Sequence, residues 1–251
     1  MSTAAFRDGG PQPMAQTATD VRERVLAALD AVIDPELDEP ITTLRFVSSV
    51  DVTGAGDVEI MLRLPTPQCA PNFAFLMAAD ARKVVRRLPE VGRVTVHLED
   101  HYTGDEINGA LARGEGFTGA FPGETEDDDL EALRELFQRK ALIARQAKIC
   151  RAMLDGGVTA ADVIALRVRD LPDGPQARRC LTLRSELGLG AEPDSPAFLL
   201  PNGQPLTAEG LTRWLAMARL IATSLEANGG ICRSLLQVRH DLATDPEEER
   251  R

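Results

Sequence analysis

Along the first hundred residues the spacing of apolar positions changes several times, and each change marks an element. Val21, Val25, Leu26, Leu29 and Ile33 recur at helical intervals, predicting an amphipathic helix over residues 19–33 with Asp20 and Glu23 in its first turn. Asp34-Pro35 stops that helix, because a residue before proline avoids the helical region. Residues 44–52 and 58–64 read as strands, and the second alternates strictly, with Val58, Ile60, Leu62 and Leu64 on one face. Between them, Thr53-Gly54-Ala55-Gly56-Asp57 has the glycine content of a hairpin loop. Pro71 suits a first helical position, and Phe73, Leu76, Met77, Val84 and Leu88 make the stripe of a second helix. Pro89 and Gly92 break it, and Val94, Val96 and Leu98 alternate with polar residues as a third strand. Helix, strand, strand, helix, strand is the order of a small α/β (α+β) domain with both helices on one sheet face.

The pattern then changes character. Residues 104–129 are rich in Gly, Glu, Asp and Thr and read as an acidic linker. From Leu130 a helical stripe (Leu133, Phe137, Ala144, Ala147, Cys150, Leu154) runs to a glycine stop at Gly156-Gly157. Thr159 and Asp162 form a capping-box pattern before a short helix, and a further helix is expected over residues 176–187. Thr207 is placed as the cap of a helix carrying Leu211, Trp214, Leu215, Ala218 and Leu225. Asn228-Gly229-Gly230 is expected to end it, with a last helix over residues 231–238. The chain therefore divides into a flexible lead (1–18), the α/β domain (19–103), the linker (104–129), a mainly α-helical C-terminal domain (130–240) and a disordered tail (241–251).

Charge and cysteine usage narrow the function classes. The net charge of −11 over 251 residues opposes non-specific binding to nucleic acid or anionic membrane, both of which need basic surface. No apolar run approaches the ~20 residues of a membrane span. The lead has the composition of neither a signal nor a transit peptide. Cys69, Cys150, Cys180 and Cys232 are far apart and form no CxxC pair, so they read as reduced thiols of a cytoplasmic protein.

One stretch carries chemistry. In Leu64-Pro65-Thr66-Pro67-Gln68-Cys69-Ala70-Pro71 a strand ends, a Pro-flanked loop presents a thiol, and a helix begins. Backbone N–H groups and the positive dipole end at a helix start favour the thiolate, which attacks electrophiles or binds metal. Asp34, Glu36, Asp38 and Glu39 crowd an acidic loop that has either metal ligands or its own backbone to serve. His101 follows the third strand at the sheet end where it can turn back towards Cys69. Cys150 falls on a buried stripe. Cys232, beside Gly229-Gly230, is the internal candidate for a second thiol ligand, its alternative being a helix core position.

Four blocks in register, Ala31–Leu37, Pro40–Leu44, Leu64–Cys69 and Leu88–Val91, make this segment resemble the metal–sulfur cluster assembly family. These are the small α/β domains of iron–sulfur assembly factors, and the segment after the third strand looks like the variant found with bacterial diiron monooxygenases. The resemblance implies a non-catalytic maturation factor that delivers an iron–sulfur cluster or iron to a client metalloenzyme. Its partners would be that client and iron–sulfur assembly proteins. Cys69 matches the family cysteine, and Asp34 and Glu36 its acidic loop. Two departures stand out: Ala70 separates the cysteine from proline, and Thr43-Leu44-Arg45 replaces an Asp-Leu-Gly segment.

One thiolate cannot complete the four positions usual for a protein-bound cluster, so a homodimer mate, the client, a small thiol or Cys232 must supply the rest. His101 is the further metal-ligand candidate. The competing reading is a structural adaptor for a multicomponent monooxygenase, in which Cys69 only packs. A thiol hydrolase needs a positioned base and orienter that the sequence does not show. Residues 166–171, Asn202-Gly203 and Val238-Arg239-His240 resemble parts of a tyrosine recombinase, but Tyr102 is the only tyrosine and lies far upstream, which excludes that activity.

Overall fold

The computed structural model describes residues 18–123 and 130–242. Residues 1–17 of the expected lead, the acidic run at 124–129 and most of the expected tail lie outside the described residues.

The sheet forms as the alternation requires. β3 (Val47–Val52) and β4 (Val58–Arg63) pair antiparallel across the glycine loop, and β5 (Val94–Glu99) joins β4 in parallel. The parallel register sets Val58, Ile60 and Leu62 beside Val94, Val96 and Leu98, so one sheet face is a continuous apolar surface. The α-helices α1 (Ala18–Leu29) and α2 (Pro71–Val85) cover it with Val25, Leu29, Ala78, Ala81 and Val85. Pro71 is the first residue of α2, as expected, and the preceding Ala70 takes the extended conformation a pre-proline residue prefers.

Three expectations for this half need correction. The first helix ends at Leu29, because Asp34 pairs back onto Glu39, and Ile33 onto Pro40, in a two-residue ladder, β1 (Ile33–Asp34) with β2 (Glu39–Pro40). The first strand begins at Val47. Leu44, Arg45 and Phe46 form a turn instead, with their N–H groups on the carbonyls of Pro40, Thr42 and Ile41. Arg45 stands there at φ 61°, in the left-handed region that favours glycine. The third correction concerns residues 104–129. They open with α3 (Gly104–Arg113) and α4 (Phe117–Ala120), which with the following Phe121 bury Ile107, Ala110, Leu111 and Ala120 in the first core. Asn108 docks α3 on the edge strand by accepting from the N–H of Leu98 (2.8 Å) and donating to its carbonyl (3.1 Å).

The helical half holds a second core. α5 (Glu131–Asp155), α6 (Ala160–Ala165), α7 (Pro175–Glu186) and α8 (Leu211–His240) gather around Leu142, Ala147, Cys150, Leu183 and Trp214. Cys150 and Cys180 are buried core residues here. Thr159 caps α6 by accepting from the N–H of Asp162. Thr207 accepts instead from the N–H of Gly210, one turn before α8 begins. α8 is one helix of 30 residues, running through Gly229-Gly230 where a stop was expected. At about 45 Å it reaches from the second core, through Trp214 and Ala218, to the first, through Leu236. Among the described residues no helix is long and apolar enough to cross a membrane.

Candidate functional site

The thiol loop is held from both sides. The Cys69 N–H bonds the Thr66 carbonyl at 3.4 Å, and Thr66 Oγ1 lies 3.6 Å from Cys69 Sγ. His101 Nε2 meets the Cys69 carbonyl at 2.8 Å, while its Nδ1 accepts from the Thr103 N–H at 3.2 Å. That pattern assigns the Nε2–H tautomer of a neutral imidazole. Both ring nitrogens are thus engaged, and His101 acts here by positioning the loop. The Tyr102 N–H adds a bond to the Pro67 carbonyl at 2.8 Å.

The acidic loop is equally well satisfied. Asp34 Oδ1 accepts from the N–H groups of Glu36 and Leu37, both at 2.8 Å, closing the turn after β1. Burial pushes the Asp34 carboxyl up to about 6, against the pull of those two N–H donors. Asp38, buried and at φ 53°, receives Arg179 through Nη2 at 2.7 Å and Nε at 3.0 Å, and also pairs with Arg145. Glu39 receives Arg233, and Glu36 receives the Asn228 amide at 3.0 Å. Arg239 donates to the carbonyl of Asp100 at 3.1 Å, just before His101. All five side-chain donors, Arg145, Arg179, Asn228, Arg233 and Arg239, belong to the helical half, so α5, α7 and α8 close around the acidic loop.

This closure brings two cysteines into one patch. Cys69 and Cys232 are both half-buried and both pack against the first core. Burial first, then the nearby charges of Asp34, Cys69 and Glu36, pushes the Cys232 thiol up to about 11. Cys69, Asp34 and Glu36, singled out in sequence, therefore lie within electrostatic reach of Cys232, although it is more than a hundred residues from them. Among the described residues, no group of three or more His, Cys, Asp or Glu side chains is arranged to hold a metal ion. Sequence reasoning missed Arg145, Arg179, Asn228 and Arg233. Their one readable signal is that of a basic and amide set matched to an acidic loop.

The chain is similar in sequence to known proteins over its first half. A family model described as iron–sulfur cluster assembly protein matches residues 22–97. The Fe-S protein maturation auxiliary factor YitW of Bacillus subtilis is 32% identical over 78 residues, which cover 31% of this chain and 74% of that protein. An uncharacterised protein of Methanocaldococcus jannaschii is 33% identical over 90 residues, 36% of this chain and 93% of that one. An iron–sulfur cluster carrier protein of Mycobacterium leprae is 31% identical over 84 residues, 34% of this chain. Those residues span only 21% of the carrier's length. A crystal structure of a domain of unknown function from Bacillus anthracis aligns with 24% identity and a TM-score of 0.31, over 38% of this chain and 94% of that one. The family match ends before α3, leaving α5 to α8 beyond it.

Proposed function

The chain belongs, through residues 22–97, to the iron–sulfur cluster assembly protein family, and we propose that it carries a cluster or iron to a client metalloenzyme on Cys69 and Cys232. The observation that supports this reading is the shared patch of Cys69, Cys232, Asp34 and Glu36. Two thiolates supply half of a usual cluster ligand set, so the cargo is shared with a donor or client thiol and is exchangeable. The carboxylates set the timing. While the patch is empty, burial first and then the nearby carboxylate charges keep Cys232 a thiol. An arriving iron cation reverses that balance, each thiol losing its proton as its sulfur–iron bond forms. Asp34 and Glu36 thus act through charge, and His101 by fixing the Cys69 carbonyl.

The named relatives are a carrier and a maturation factor, and this reading likewise asks for transfer without catalysis. The client, on the sequence resemblance, is an oxygenase. Anaerobic reconstitution with iron and sulfide, followed by iron quantification and a visible spectrum, tests the proposal on full-length protein. Wild type should load. Cys69→Ser should lose the cargo, and Cys232→Ser should hold it weakly enough to be stripped by a chelator. A wild type that stays colourless and iron-free would overturn the carrier reading. The adaptor reading draws on the engagement of the acidic loop by Arg145, Arg179, Asn228 and Arg233, and it requires client maturation to survive Cys69→Ser.

A further inference from the structure

The far end of α2 carries a feature that the thiol patch does not use. Arg82, Lys83, Arg86 and Arg87 follow one another at intervals that put them on adjoining rows of the helix and the turn after it. They border a cleft of about 390 Å³ whose floor includes Ala79 and the buried Leu111. Of the cleft's lining residues only Glu115 is acidic, and it is already paired with Arg113 at 2.7 Å. Among the described residues none of the four cations has a carboxylate partner. In a chain of net charge −11 this is a local reversal of sign.

We propose that this face docks an acidic segment of a protein partner, with an apolar side chain of that segment seated over Ala79 and Leu111. Lys83, Arg86 and Arg87 are exposed and Arg82 is half-buried, so the cations act at a hydrated surface. That is the setting of steered, salt-sensitive protein association. Arginine forks match carboxylates in pairs, and four cations over two helical turns match an extended acidic chain. A compact phosphate is the poorer fit. This is the C-terminal end of α2, where the dipole is negative and the free N–H groups that phosphate sites collect are not found. Arg82 lies in the last turn of α2, which starts at Pro71, so about 17 Å of helix separates this cation and those after it from the Cys69 loop. A partner held here leaves the thiols open, which fits a docking surface distinct from the transfer site.

The test is fluorescence anisotropy of a labelled glutamate- and aspartate-rich peptide with a central leucine, titrated with full-length protein. Binding is expected, weakening about tenfold between about 50 and about 200 mM salt. The triple charge reversal Arg82→Glu, Arg86→Glu and Arg87→Glu should weaken it more than about twentyfold. Reversing Arg213 and Arg219, exposed cations of α8, should change it less than about twofold, which separates a local site from net charge. Iron loading of the triple variant should match wild type, so a failure of docking is distinguishable from a failure of the carrier reading. Equal binding by the triple variant, equal binding of a serine- and glycine-rich peptide, or displacement by micromolar inorganic phosphate would each overturn the proposal.

Discussion

Arg233 Nη1 donates to both carboxylate oxygens of Glu39, at 3.1 and 3.2 Å, and so ties α8 to the acidic loop one residue after Cys232. Both side chains are about one-third exposed, which limits the pair to about 1 kcal/mol. Its consequence is local. Arg233→Ala should leave overall stability within about 1 kcal/mol of wild type while loosening the turn that seats Cys232. Alkylation of Cys232 by iodoacetamide, followed by mass spectrometry, should then accelerate about fivefold, the rise that about 1 kcal/mol of lost seating permits. An unchanged rate would mean that Leu236 and Asn228 seat the helix without this pair.

Asp38 bears more weight. It is 5% exposed and balances two guanidinium groups, from Arg145 and Arg179, that are themselves mostly covered. Removing the carboxylate leaves Arg145 without its ion-pair partner and Arg179 with only the more distant Glu186, at 3.6 Å, so Asp38→Ala should cost about 3 kcal/mol. Urea denaturation would register the loss. A cost below about 1 kcal/mol would show that water reaches the arginines and that the clamp between the halves rests elsewhere.

Asp34 gives the pH dependence. Its carboxyl titrates near 6 in the folded chain against an ordinary 3.8, because burial outweighs its two N–H donors. The folded state therefore holds a proton that the unfolded state has already released between those values. Stability from this group is complete below pH 3.8, falls as pH rises through about 6, and is level above it. A gap of about two units amounts to about 3 kcal/mol. Asn at position 34 keeps an oxygen for the Glu36 and Leu37 N–H groups and removes the charge. Unfolding free energy of Asp34→Asn should be flatter than wild type from pH 4 to 7, and no lower at pH 7. If the two profiles run parallel, another group owns the slope.

The α/β half was legible because each of its elements carries a local signature. Strict alternation marks Val58–Leu64 and Val94–Leu98, and Pro71 announces α2. What escaped were features decided by partners distant in sequence. Gly104 to Arg113 looks like a linker until Asn108 finds the edge of β5 and Ile107 finds the core. Arg45 stands at φ 61° because the turn after β2 demands that conformation, whatever residue supplies it. The thiol loop and acidic loop could be read as candidates from sequence. Cys232 could be named as a candidate second thiol, but the element that delivers it could not, since α8 continues past two glycines that locally signal a stop.

That continuation makes Gly230 the sharpest test of the long helix. An added Cβ at Gly230 meets nothing within 4 Å, and the residue lies inside α8 with no positive φ. Helical alanine there restricts the unfolded chain and strains nothing, so Gly230→Ala should stabilise by about 0.5 to 1 kcal/mol. Gly229 is buried, and a Cβ there would come 3.3 Å from the Arg233 guanidinium, so Gly229→Ala should gain less and disturb the Glu39 pair. Amide exchange across residues 226–236 should slow in Gly230→Ala if one helix seats Cys232 beside Cys69. If instead the chain breaks at the glycines as local sequence suggests, alanine would be neutral or destabilising, and exchange there would be fast in both proteins.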